Sequence, residues 1–294
     1  MIKLLLTGSN GFLGTYFTEN YSAKYNIKTF SFLKDNFKEL NLEGINTVLH
    51  LSALVHQMGG ASAEEYEKVN VTQTVDLAKK VKVSGVKHFI FMSTVKVYGE
   101  ENKSAYKENS VCNPQDEYGK SKLKAEKELQ KLEDDTFKVS IIRTPIVYGY
   151  GAKANIKNLV TLVKKISILP FADIDNKRTM VYIGNLCHLI DVVIQKEKGG
   201  IFLASDDEAV STTKFIELIA ENLNKKVTLV KIPFFKGLLK LVKPSFYKRL
   251  YESLEVDNSY TKEILKFENL YSVEKGIALM IKGKMDSSKK DRIV

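Results

Sequence analysis

The chain has 294 residues, 44% hydrophobic and 27% charged, and its 45 Lys and Arg against 35 Asp and Glu give a formal net charge of +10. That is the composition of a globular protein able to bury a full core, and it excludes an intrinsically disordered chain. No apolar run approaches the roughly 20 residues that span a bilayer, and the two cysteines, Cys112 and Cys187, are far apart without metal-ligand spacing, which argues against a disulfide scaffold or a metal centre and fits a cytoplasmic location.

In chain order, residues 2–6 read as a buried strand running straight into a glycine turn; the segment is too short for a secretory leader. Residues 12–20 open a helix, and 27–33 and 47–52 read as strands. Residues 64–83 have helical spacing through Tyr66, Asn70, Thr74, Leu77 and Val81. A strand at 87–93, a helix at 118–132 and a strand at 139–143 continue the alternation. The pattern predicts an α/β fold, a doubly wound parallel sheet with helices on both faces. Beyond Pro145 it loosens into a helix at 155–166, a strand at 180–183, a helix at 185–195, a strand at 200–204, a helix at 212–223 behind a Ser211/Thr212 cap, and a strand at 227–232. Residues 1–144 are thus expected to form a dinucleotide-binding domain, and 145–294 a smaller substrate lobe partly interleaved with it.

The glycine turn reads Thr7-Gly8-Ser9-Asn10-Gly11-Phe12-Leu13-Gly14. Between a strand and a helix, such glycines permit a tight turn and the close approach of backbone to a pyrophosphate, and the helix N-terminus supplies N–H groups and a positive dipole end. An acid ending the second strand would bind the ribose of NAD. The segment here is Phe30-Ser31-Phe32-Leu33-Lys34-Asp35, so Lys34 and Ser31 can accept a 2′-phosphate, a lean to NADP, while a late Asp35 keeps NAD open.

Tyr118-Gly-Lys-Ser-Lys122 sets a tyrosine one helical turn from a lysine. A tyrosine hydroxyl with pKa near 10 is a poor base at neutral pH, and a neighbouring cation favours the phenolate, so the pair suits proton transfer. Upstream, Phe91-Met-Ser-Thr94 ends a strand in hydroxyl side chains, where Ser93 and Thr94 can hydrogen-bond a reacting oxygen. His50, His88 and His188 adjoin apolar runs and read as core or surface residues; His56, in the loop after the third strand, is the one histidine placed to face a substrate. From Lys225 to Arg249 there are eight Lys and Arg and no acid, and the tail from Lys282 has five basic against two acidic residues. A lysine-rich surface accounts for most of this, an anionic diphosphate site for part, and a weak peripheral membrane contact for the mixed run 232–243; no nucleic-acid motif is present, and no nucleic-acid partner is expected.

These motifs together resemble the extended short-chain dehydrogenase/reductase family, the NAD(P)-dependent sugar-nucleotide epimerases, dehydratases and reductases. The resemblance covers nearly the whole chain and includes His50-Leu51-Ser52-Ala53, Ser93–Gly99, Arg143–Gly149 and Lys177–Leu186. It implies a catalytic trio of Thr94, Tyr118 and Lys122. It implies cofactor contacts from Gly8, Asn10, Gly11, Phe12, Leu13, Gly14, Lys34, and the loop residues Leu51, Ser52 and Ala53, with Asn70 supporting the active-site backbone. Asn155 and Arg178 match positions that hold the nucleotide diphosphate, with Thr94 on the sugar. The dehydratases carry an Asp-Glu pair where this chain has Val95-Lys96, which argues against a 4,6-dehydratase.

The run from Tyr148 to Asn155 is most similar to bacterial polysaccharide enzymes. It implies oxidoreduction at C4 of a nucleotide-linked, UDP-N-acetylated or 6-deoxy-4-keto hexose, with a UDP-sugar 4-epimerase using the same residues as the alternative and a non-catalytic NADP-binding sensor as a remoter one. The family also implies a homodimer, through the helices at 64–83 and 118–132.

Overall fold

The computed structural model describes residues 1–55, 61–100, 102 and 104–283. In its first half, β1 (Lys3–Thr7), β2 (Asn26–Phe30), β3 (Thr47–His50), β4 (His88–Thr94) and β5 (Lys138–Thr144) alternate with helices. These are α1 (Phe12–Tyr21), a three-part helix made of α2 (Ala63–Tyr66), a π-helical segment Glu67–Thr72 and α3 (Gln73–Val83), and α4 (Glu117–Gln130). Then come β6 (Ile146–Tyr148), α5 (Ala154–Lys165), β7 (Ile168–Leu169), β8 (Met180–Tyr182), α6 (Ile183–Lys196), β9 (Gly200–Leu203), α7 (Thr212–Asn222) and β10 (Thr228–Leu229). Four helices close the described chain: α8 (Phe235–Val242), α9 (Pro244–Tyr251), α10 (Ser259–Leu265) and α11 (Val273–Lys282). None of the described helices is long and apolar enough to cross a membrane.

The main sheet has the order β2-β1-β3-β4-β5-β9, and every pair in it is parallel. Its inner strands β1, β3 and β4 carry apolar runs because both faces are covered, whereas the edge strand β2 is largely exposed. Leu4, Leu6, Leu49, Ile90 and Ile142 enter the core on one face. Their neighbours Leu5, Val48, Phe89, Phe91 and Ile141 enter the core on the other, with Leu77, Val81 and Leu129 of α3 and α4. The chain runs outward from β1 to β2, then returns across β1 to β3. The crevice beyond the carboxyl ends of β1 and β3 is therefore the topological switch point, where such sheets bind ligands.

Two small parallel pairs, β6 with β8 and β7 with β10, frame the second half, while β9 returns to the main sheet as its edge. Several boundaries differ from the sequence expectation. The second strand stops at Phe30 rather than residue 33 because the chain turns at once: the Ser31 carbonyl accepts from Lys34 N (3.0 Å) and Asp35 N (2.8 Å). The strand expected at 227–232 has two residues; the mixed run 232–243, read as a membrane contact, contains α8, and α9 to α11 were not expected from the sequence.

Candidate active site

The turn after β1 is built on contacts only glycine permits. Gly8 has φ +72°, and a Cβ there would lie 2.8 Å from Ser52 N. At Gly14 a Cβ would stand 2.3 Å from the Gly8 carbonyl oxygen. Gly11 N donates to Gly8 O (3.0 Å), and α1 starts with no side-chain cap on its N-terminus. Asn10 and Gly11 are exposed, while Phe12 and Leu13 are half-buried. Across the crevice, Leu51 N donates to Thr7 O (3.3 Å) and Ser52 N to Thr7 Oγ1 (3.2 Å), so the half-buried residues 51–53 line its second wall. A compressed glycine turn, an uncapped helix N-terminus and the switch point coincide, so these residues fit a dinucleotide pyrophosphate. Lys34 is exposed on the turn after β2, and the Asp35 carboxylate folds back to accept from Ser31 N at 2.8 Å, directly at the strand end.

Thr94 ends β4, and its Oγ1 accepts from Lys96 N at 3.3 Å. Tyr118 and Lys122 sit on the first turns of α4, whose N-terminus is capped by Asp116 accepting from Gly119 N at 2.7 Å. Asp116 also pairs with the Lys96 ammonium, at the position where a dehydratase would carry an acid. Lys122 is 2% exposed, and its Nζ lies 3.9 Å from the centroid of the Phe91 ring. Burial pushes its pKa down to about 7 against a counter-pull from Glu126. Tyr118 is shifted upward by burial, then by Asp116 and Tyr66. The spacing argument expected Lys122 to lower Tyr118; here desolvation governs both groups and holds each toward its neutral form.

Asn70 is fully buried on the π-helical segment. Its Oδ1 accepts from Leu54 N (2.8 Å), and its Nδ2 donates to Leu54 O (2.9 Å) and Ser121 Oγ (3.0 Å). One amide thus ties the loop after β3 to α4 between Tyr118 and Lys122. π-helical turns recur at functional sites because they displace one side chain from the regular helical phase. Ser93 does not reach the crevice: its hydroxyl donates to Glu126, which the Arg143 guanidinium also holds, with Nη2 2.6 Å from Oε2. That buried cluster extends to Tyr98, whose hydroxyl accepts from Arg143 Nη1 at 2.7 Å.

In the second half, Asn155 is exposed at the start of α5, and its Oδ1 accepts from Arg249 Nη1 at 3.4 Å. Arg178 donates to Glu252 O at 3.2 Å, and its pKa is lowered by burial and then by Arg249. Arg178 thus feels the Arg249 guanidinium and, in the opposite sense, the carboxylates of Glu252 and Glu100. Arg249 was legible only as part of the basic segment; its meeting with Arg178 depends on the return of α9. His50 is a core residue between Thr7 Oγ1 (2.8 Å) and Thr74 Oγ1 (2.9 Å), pushed down to about 3 by burial and Lys122. His88 is buried against Ser140 Oγ at 2.6 Å and pushed down to about 4, and His188 packs on Phe267. His56 lies outside the described residues.

Fold and crevice define a nicotinamide-dinucleotide enzyme of the extended short-chain dehydrogenase type. The family model "NAD dependent epimerase/dehydratase family" matches residues 4–204, and the chain belongs to that family. It is 38% identical over 304 aligned positions to a UDP-glucose 4-epimerase of Vibrio cholerae, covering 93% of each. It is 27% identical over 257 positions to N-acetyl-α-D-glucosaminyl-diphospho-ditrans,octacis-undecaprenol 4-epimerase of Escherichia coli O157:H7, covering 81% of this chain and 77% of that one. The crystal structure of UDP-glucuronic acid 4-epimerase from Bacillus cereus in complex with NAD superposes with a TM-score of 0.77, covering 96% and 98% of the chains at 18% identity, a likeness of fold.

Proposed function

We propose that this enzyme is a sugar-nucleotide 4-epimerase, inverting C4 of a UDP-linked hexose by transient oxidation. The observation that carries this reading is end-to-end similarity to a UDP-glucose 4-epimerase in a chain with Thr94 at the carboxyl end of β4 and Tyr118 and Lys122 on α4, the helix packed against that strand. The turn 8–14 and residues 51–53 hold the dinucleotide, with Asn70 fixing the loop. The Asp35 carboxylate at the end of β2 favours ribose hydroxyls over a 2′-phosphate, so NAD replaces the NADP that Lys34 suggested. When bound, the nicotinamide supplies the hydride acceptor and donor. Tyr118 takes the proton from O4 and returns it, Thr94 orients that oxygen, and Lys122 holds the nicotinamide ribose and stabilises the phenolate.

Residues 1–144 with β9 serve the cofactor. The remainder of 145–294 serves the substrate, whose diphosphate Arg178, Arg249 and Asn155 receive. The helices at 64–83 and 118–132 are the pairing surface of a homodimer. The C4 ketoreductase expected from sequence would use the same trio but consume reduced cofactor. The test is incubation of purified enzyme with UDP-glucose and no added reductant, followed by NMR of the sugar and mass spectrometry of the nucleotide released on denaturation. UDP-galactose formation with retained NAD supports the epimerase. Turnover only with a 4-keto sugar and stoichiometric NADPH loss replaces it by the reductase.

A further inference from the structure

The strongest unassigned feature is the hairpin of α8 and α9. Residues 225–249 hold eight Lys and Arg and no Asp or Glu. Phe235 and Leu239 pack inward, the Phe235 ring lying 6.5 Å from that of Phe171. Lys236 and Lys240 rest on α9, their Nζ atoms 5.5 Å and 5.6 Å from the ring centroids of Tyr251 and Tyr247. The remaining face is bare and apolar. Phe234 is 91% exposed, Leu241 83%, Val242 62% and Leu238 60%, with Ile232 and Phe246 exposed beside them.

Positions 234, 238 and 241 are spaced four and three apart and stand on one side of the helix. Phe234 caps α8 in the left-handed region at φ 62°, a conformation costly for a bulky residue. The backbone thus accepts strain while the ring projects outward.

We propose that this hairpin is a docking surface for an anionic lipid bilayer, with the Phe234–Leu238–Leu241–Val242 face inserted among the acyl chains and the flanking lysines at the headgroups. Interfacial helices combine these two features, an exposed apolar face and an excess of basic charge; here Asp173 meets one of the lysines, Lys231, at 3.7 Å. A second copy of the chain is a poor occupant. A two-fold contact would bring this patch against itself and oppose two sets of basic residues with no acid in either. The proposal is independent of which sugar the crevice turns over, since it needs neither substrate nor cofactor.

The experiment is co-sedimentation of the full-length protein with sucrose-loaded vesicles of phosphatidylcholine alone or containing one-third phosphatidylglycerol, at low and high salt. Light scattering without lipid gives the mass in parallel. Binding should require phosphatidylglycerol and weaken with salt. The exposed pair L238E/L241E should lose at least tenfold in binding while keeping its melting temperature. Lys243→Gln, also at an exposed position, should cost roughly fivefold. Absence of vesicle binding by the parent protein overturns the proposal. So does undiminished binding by L238E/L241E, which would locate the contact elsewhere, or a fall in that variant's mass, which would make the face a contact between copies.

Discussion

Lys122→Met should make the cofactor-free protein more stable while abolishing its activity. The lysine is buried against Phe91, and its pKa has fallen from 10.5 to about 7. That difference corresponds to about 5 kcal/mol of cost for holding the charged form in the fold. That figure is a net one and already contains the contact with the Phe91 ring. Methionine has similar length, carries no charge and packs well on an aromatic ring. At 2–4 °C per kcal/mol for a large domain, the variant should melt about 10–20 °C higher at pH 6.5.

The sign with pH is fixed by linkage. A lysine with a depressed folded pKa is charged in both states below pH 7, so the cost is fully present there. Between pH 7 and 10.5 the unfolded chain holds more protons than the folded one, so the parent gains stability and the gap should close. Melting curves of nucleotide-stripped parent and variant, at pH 6.5 and 10, are the assay; bound nucleotide would add its own stabilisation by mass action. A variant that melts at or below the parent at pH 6.5, or a gap unchanged at pH 10, would refute the reasoning.

Tyr118→Phe should lower kcat about 10³-fold while cofactor affinity, by fluorescence titration, stays within a factor of about three, since only the proton carrier is removed. Asp35→Ala should raise the NADP-to-NAD affinity ratio at least tenfold by withdrawing the carboxylate from the end of β2; an unchanged ratio would place cofactor choice elsewhere. Arg143→Met should cost about 3–5 kcal/mol in denaturant unfolding, because it leaves Glu126 buried and unpaired. Adding Glu126→Gln should restore most of that loss.

The centre of the main sheet was readable because its inner strands carry apolar runs covered on both faces; Leu4–Leu6 and Phe89–Phe91 need no tertiary knowledge. The glycine turn was readable because its conformations exclude other residues. What was lost depends on contacts remote in sequence. Ser93 and Thr94 look equivalent in the chain, yet Ser93 is claimed by Glu126 and Arg143 from α4 and β5. Arg249 gains meaning only beside Arg178, some seventy residues earlier. The end of β2 misleads for a local reason: Asp35 stands five residues beyond Phe30 in sequence, but the turn at Ser31 carries its carboxylate back to the strand. The helices α8 to α11 are short, and one presents its apolar face to solvent, so the periodicity that marks a core-facing helix points the wrong way there.

The disagreement over Tyr118 has a physical content of its own. The four-residue spacing says that Lys122 should favour a phenolate; the structure has both groups shifted toward neutrality. Both statements hold if the lysine's charge is conditional. Burial against the Phe91 ring outweighs the pull of Glu126 and disfavours the ammonium. Ribose hydroxyls beside Nζ would supply acceptors, raise the lysine's pKa and restore the cation that Tyr118 needs. Asp116 opposes that step by raising Tyr118. The basicity of the tyrosine is then coupled to cofactor occupancy through a single buried charge, and the same charge makes Lys122 a burden on the fold.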